Sequence, residues 1–168
     1  MHLPRKVAII DDHPMIRTGL SGRIAIESDL EVCGEAETIP EALKLIEVTE
    51  PDLAVVDISL AEGNGIDLIK RVKARGNPVQ FLVWSVYPED LYADRAFRAG
   101  AHGYITKNAA TDTIIDAIRH VVDGHIYASP DLTQRLLVRN VQGQEPADSP
   151  LDELSDRELE VFTLIGEG

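Results

Sequence analysis

The chain is poor in cysteine, in positive charge and in long apolar runs. Its single cysteine, Cys33, excludes an intrachain disulfide, and the five histidines (His2, His13, His102, His120 and His125) show no paired spacing with cysteine or acids, so a zinc centre is not expected. Only 16 basic residues stand against 29 acidic ones, a net charge of -13, which disfavours generic attraction to nucleic-acid phosphates or anionic membranes. The apolar runs VAII, LAVV and FLVW are too short to span a bilayer, and MHLPRKVAII lacks the long apolar stretch of a secretion signal. A cytoplasmic protein with no membrane partner is expected. No internal repeat or long low-complexity tract is present. What remains is ordinary globular usage, 44% hydrophobic and 27% charged, in 168 residues: enough for one well-buried domain with a smaller appendage.

Short β-rich runs alternate with helix-period segments five times, the pattern of a parallel sheet with helices on both faces. The strands read as KVAIID, LEVCGEA, DLAVVDI, VQFLVWS and HGYIT. Between them, Ile16, Leu20 and Ile24, then Ala42, Leu43 and Ile46, then Ile66, Ile69 and Val72 recur at helical spacing. Pro14, Pro40 and Pro88 stand near helix starts, and Gly76 and Gly100 follow helix ends. A fifth helix over 112–123 carries Ile114, Ile118 and Val121. Beyond Gly124, SPDLTQRLLVRN predicts another helix and VQGQEPADSP a linker. In the last segment, Ser155 and Glu158 have capping-box spacing, and Leu159, Phe162 and Ile165 line one side of an amphipathic helix. Cys33, in a strand, is expected to be a small buried apolar residue, and Trp84 a core residue.

Chemistry concentrates at two strand ends. Asp11 and Asp12 close VAII, and Asp57 closes LAVV. In an open parallel sheet, ligands bind beyond the carboxyl ends of strands where the strand order reverses, so these acids can share one crevice. Three crowded carboxylates raise one another's pKa unless a cation sits among them, and an all-oxygen acidic cluster suits Mg²⁺. Ser85, ending the fourth strand, and Lys107, after the fifth, would converge on the same crevice. An ammonium and a hydroxyl there can neutralise and hydrogen-bond a transferred phosphoryl group, with Asp57 as nucleophile. Any one of these acids alone reads as a loop cap, and Lys107 alone as a surface lysine. Their value lies in their joint position.

VAIIDDHP, LAVVDISL, WS and GYITK together resemble the receiver domain of bacterial two-component response regulators, over residues 5 to 125. The resemblance implies a flavodoxin-like (CheY-like) α/β fold, a five-stranded parallel sheet of order 2-1-3-4-5 with helices on both faces and a C-terminal helical extension. It implies that Asp57 is the phosphoacceptor served by a sensor histidine kinase. Asp12, Asp57 and the backbone carbonyl of Ser59 would bind Mg²⁺, with Asp11 acting mostly through water. Lys107 would contact the phosphoryl group, and Ser85 and Tyr104 would form a switch pair drawn inward on phosphorylation. Chemistry would be limited to self-phosphorylation and autodephosphorylation. Two departures stand out: Ala61 replaces a usual proline, which would loosen its loop, and Val86 follows Ser85 where a smaller residue is common, which would narrow access to the site.

GHIYASPDLTQRLL and LSDRELEVFTLIGEG look like the NarL/FixJ subfamily, in which the receiver precedes a LuxR-type helix-turn-helix. The organisation expected is a receiver over 1–125, a linker with a short helix over 126–150, and over 151–168 the first helix of an incomplete helix-turn-helix. Without a recognition helix nothing enters the major groove, and the stretch from Glu145 to Gly168, with eight acids and one base, should repel DNA. DNA is thus a partner only where a complete helix-turn-helix is present, and a homodimer is expected. The alternative is a receiver acting by dimerisation or protein contact alone, its exposed apolar stripe inviting association. An aspartate-nucleophile phosphatase of the haloacid dehalogenase kind fits less well, because it needs a second acid two residues after the first-strand aspartate and Asp11 is followed there by His13.

Overall fold

The computed structural model describes residues 2–143 and 154–166. Five strands, β1 (Arg5–Ile10), β2 (Leu30–Ala36), β3 (Leu53–Val56), β4 (Gln80–Ser85) and β5 (Gly103–Thr106), form one sheet in the order β2-β1-β3-β4-β5, all pairs parallel. The α/β class and strand order are those expected. The helices are α1 (Pro14–Ile24), α2 (Ile39–Thr49), α3 (Gly65–Ala74), α4 (Glu89–Ala99), α5 (Thr111–Val122), α6 (Pro130–Gln142) and α7 (Asp156–Gly166).

Apolar strand residues are buried on both sides of the sheet, as parallel sheets require. On one face Val7, Ile9, Val55, Leu82 and Ile105 join Leu20 and Ile24 of α1 and Ile114, Ile118 and Val121 of α5 in one cluster. The alternate residues Ala8, Ile10, Ala54, Val56, Phe81 and Val83 are equally buried, and α2, α3 and α4 contact one another in turn. Helix starts follow their caps: Thr38 accepts from the Glu41 N–H (3.4 Å), and Asn64 accepts from the Ile66 N–H (2.8 Å). Gly100 closes α4 at φ 117°, a left-handed conformation that costs glycine little. Trp84 and Cys33 are only half-buried: Trp84 packs against the α1/α5-side cluster, and the Cys33 Sγ lies 3.4 Å from the Thr49 hydroxyl.

The chain divides into two compact units, Met1–Tyr127 and Ala128–Gly168. The first runs past residue 125 because Tyr127 adds a short parallel bridge beside Gly103, its N–H donating to the His102 carbonyl and its carbonyl accepting from the Tyr104 N–H. In the second unit Ser129 caps α6 and the capping box forms at α7: Glu158 N–H donates to Ser155 Oγ (3.2 Å) and Ser155 N–H to Glu158 Oε2 (2.7 Å). Helix α6 takes in Val141 and Gln142, where a linker is expected; linker residues 144–150 and the start of the terminal segment, 151–153, lie outside the described residues. Of the apolar stripe on α7, Leu159 is buried while Phe162 and Ile165 are 55% and 74% exposed. No helix among the described residues is long and apolar enough to cross a membrane.

Candidate functional site

The ladder that builds the sheet continues one residue beyond the strands and fixes the backbone of the site. Asp11 N–H donates to the Ala36 carbonyl (3.0 Å), Asp57 N–H to the Ile10 carbonyl (2.9 Å) and Lys107 N–H to the Ser85 carbonyl (2.8 Å). Asp11, Asp57, Ser85 and Lys107 therefore stand on rigid backbone where β1 and β3, neighbours at the reversal of strand order, meet β4 and β5. Ser59, in the loop after β3, is held by a bridge to Asn64. Gly65 brings α3 so close that a Cβ at its position would lie 2.1 Å from the Asp57 carbonyl oxygen. Only glycine permits that approach.

Lys107 Nζ donates to Asp11 Oδ2 (2.6 Å) and Asp57 Oδ2 (2.9 Å), and all three side chains are at least nine-tenths buried. Burial is the largest influence on Asp57 and raises its pKa; the Lys107 charge opposes this and Asp11 adds to it, for a net upward shift. Burial works against the Lys107 ammonium, but attraction to Asp57 and its hydrogen bonds to both carboxylates prevail and hold its pKa above the usual value. The ammonium also lies 5.5 Å from the centre of the Trp84 ring, within cation–π reach.

Asp11, Asp12, His13 and Asp57 each offer one ligand atom, all within 4.8 Å of one another. Two buried carboxylate oxygens, Asp12 Oδ1 and Asp57 Oδ1, have no hydrogen-bond partner among the described residues. His13 Nδ1 also approaches Asp12 Oδ1 to 2.9 Å, without hydrogen-bond geometry. Orphaned buried oxygens in an oxygen-rich cluster fit a hard divalent cation.

Ser85 and Tyr104 are buried and are joined by a side-chain hydrogen bond between them and through Tyr87: Ser85 Oγ accepts from the Tyr87 N–H (3.2 Å), and Tyr104 Oη donates to the Tyr87 carbonyl (2.8 Å). Burial pushes the Tyr104 phenol well above its ordinary pKa, so it remains a donor. Tyr104 is only 1% exposed, so the ring already stands inward in this structure. The Tyr87 ring stacks on Tyr92 of α4 at 4.8 Å. Val86 points outward, 61% exposed.

Sequence reasoning left three contributors unassigned. His13 Nδ1 lies 2.9 Å from Asp11 Oδ1, although the histidines show no paired spacing with acids in the sequence. Arg17 donates to the Asp11 carbonyl (2.7 Å) while pairing with Glu35 and Glu37, and its only sequence signal is its place one helical turn beyond His13. Tyr87 supplies the peptide group that links Ser85 to Tyr104, a backbone role without a residue-type signature.

The response regulator receiver domain family matches residues 7–119. The chain is 34% identical over 160 residues to response regulator GacA of Pseudomonas aeruginosa, covering 95% of this chain and 74% of that protein. It is 33% identical over 168 residues to the oxygen regulatory protein NreC of Staphylococcus carnosus, covering 97% and 77%. Among solved structures, a two-component response regulator of the LuxR family from Aurantimonas sp. SI85-9A1 superposes with TM-score 0.75 at 29% identity, over 83% of this chain and 99% of that one.

Proposed function

The chain belongs to the response regulator receiver family, of the NarL and LuxR type, and on that premise we propose that Asp57 accepts a phosphoryl group from the phosphohistidine of a sensor histidine kinase. The observation that carries the reading is a buried aspartate with one oxygen held by Lys107 and the other without a hydrogen-bond partner among the described residues. An Asp57 oxygen attacks phosphorus, the P–N bond breaks, and the imidazole leaves with its electron pair and takes up a proton; an acyl phosphate results. Lys107 keeps an ammonium beside the new phosphoryl oxygens, and the Ser85 hydroxyl, which shares a hydrogen bond with Tyr104, turns to donate to one of them. Mg²⁺ held by Asp12, Asp57 and the Ser59 carbonyl, with Asp11 through water, would neutralise charge developing on the phosphoryl oxygens.

The output is a shift between two states of β4, β5 and α4, carried through Ser85, Tyr87 and Tyr104. With Tyr104 already inward, phosphorylation has to hold this arrangement rather than create it. The chain has no separate enzymatic activity beyond its own phosphorylation and dephosphorylation, works in the cytoplasm as a homodimer, and serves a transcription-regulating output in which α7 is the first helix of a LuxR-type helix-turn-helix. DNA contact requires the complete motif. The exposed Phe162 and Ile165 on α7 favour a second reading, output by protein contact without DNA. Incubation with a small acyl phosphate and Mg²⁺ should add one phosphoryl mass to the wild-type chain and none to Asp57→Asn; equal labelling of both would overturn the assignment.

A further inference from the structure

We propose that the imidazole of His13 is itself a metal ligand, so that the site binds divalent transition ions of the manganese-to-nickel series more tightly than its carboxylates alone would. The inference rests on the reading of Asp11, Asp12 and Asp57 as a cation site and extends it to the class of ion taken.

His13 Nδ1 stands 2.9 Å from Oδ1 of both Asp11 and Asp12, and 3.8 Å from Asp57 Oδ2. Around an octahedral ion with ligands at about 2.1 Å, neighbouring ligand atoms are separated by about 3.0 Å and opposite ones by about 4.2 Å. The nitrogen already stands at the neighbouring-ligand spacing from Asp11 and Asp12, with the Asp57 carboxylate close by. Two orphaned oxygens, Asp12 Oδ1 and the buried Asp57 Oδ1, complete a donor set of mixed oxygen and nitrogen.

The backbone makes this placement reproducible. His13 is the N-cap of α1, its N–H donates to Asp11 Oδ1 (2.9 Å), and Pro14 follows with a fixed φ. The ring itself is 60% exposed, so it can adjust by rotation, and a neutral imidazole offers one nitrogen to an ion while the other carries its proton. Charge also favours a neutral fourth ligand. Three carboxylates are balanced by one divalent ion together with the Lys107 ammonium, so an imidazole adds donor strength without unbalancing the pocket. Mg²⁺ gains little from nitrogen, whereas imidazole suits the later first-row ions.

The test uses the whole chain and its His13→Gln variant, loaded separately with Mg²⁺, Mn²⁺ and Ni²⁺. Electron spin-echo spectra of the Mn²⁺-loaded wild type should show coupling to a ¹⁴N nucleus that His13→Gln lacks. Calorimetric affinity for Ni²⁺ should fall about tenfold or more in the variant, the scale seen when groups supporting a metal centre are lost, and by more than the affinity for Mg²⁺, while a circular dichroism spectrum like that of the wild type shows that the variant is folded. Mn²⁺ binding without ¹⁴N coupling, coupling that survives in His13→Gln, or an unchanged preference for Ni²⁺ over Mg²⁺ would each overturn the His13 assignment while leaving the phosphoacceptor reading standing. If the wild-type chain binds none of the three ions, the cation site and the reading built on it both fail.

Discussion

Replacing Lys107 with methionine keeps most of the apolar stem and removes the ammonium that bridges Asp11 and Asp57. Breaking a buried ion pair on one side costs about 3–5 kcal/mol because the remaining charge is left uncompensated. The neighbouring Asp12 and His13 side chains are 24% and 60% exposed and admit water to the rim, so the lower end applies, about 3 kcal/mol. For a chain of this length that corresponds to a melting temperature lower by about 6–12 °C at neutral pH without divalent ions. The penalty depends on pH with a definite sign. Asp57 has a folded pKa above its ordinary 3.8, so its contribution favours folding below that value and is lost as pH rises through the folded pKa. Without Lys107 that pKa climbs further, and the difference between variant and wild type widens from acid to neutral pH. The Lys107 pKa is raised above 10.5, so its contribution is present below that value and fades at strongly alkaline pH, where the two proteins converge. Added Mg²⁺ should stabilise the variant more than the wild type, since no ammonium competes for the carboxylates. Thermal melts across pH, with and without Mg²⁺, read all of this. A variant that melts within about 2 °C of the wild type at neutral pH without metal would refute the buried-pair reasoning.

Two further outcomes follow from close contacts around the site. Gly65→Ala places a Cβ against the Asp57 carbonyl, and the forced backbone shift should cost about 1–3 kcal/mol and weaken Mg²⁺ binding together; an alanine variant with wild-type stability and affinity would show that the loop yields freely. Tyr104→Phe removes the donor to the Tyr87 carbonyl and should lower stability by about 1–3 kcal/mol while leaving the extent of Asp57 labelling by acyl phosphate unchanged; loss of labelling would assign Tyr104 to the chemistry rather than to its output.

How much of this was legible beforehand differs by element. The strands were readable because each is a short apolar run closed by turn residues, and the expected LEVCGEA is β2 to the residue. Central strands came out shorter: DLAVVDI shrinks to Leu53–Val56, because the Asp52 carboxylate accepts from the Lys6 N–H (2.8 Å) and Asp57 turns into the crevice. The α7 stripe was legible as helix but not as burial. Helical spacing places Leu159, Phe162 and Ile165 on one side, while only packing determines that Leu159 alone is covered.

By itself the sequence determined the class of fold, the strand ends at which Asp11, Asp12, Asp57, Ser85 and Lys107 stand, and the oxygen-rich chemistry available there, because periodicity and residue type are local properties of the chain. Tertiary structure decided what distances alone can decide. It joined Lys107 to two carboxylates from other strands, brought His13 Nδ1 to 2.9 Å from Asp11 and Asp12, and linked Ser85 to Tyr104 through the Tyr87 peptide. Such contacts arise from the crossing of a parallel sheet's strand ends, where residues up to 96 positions apart meet, and no local pattern in the chain encodes them.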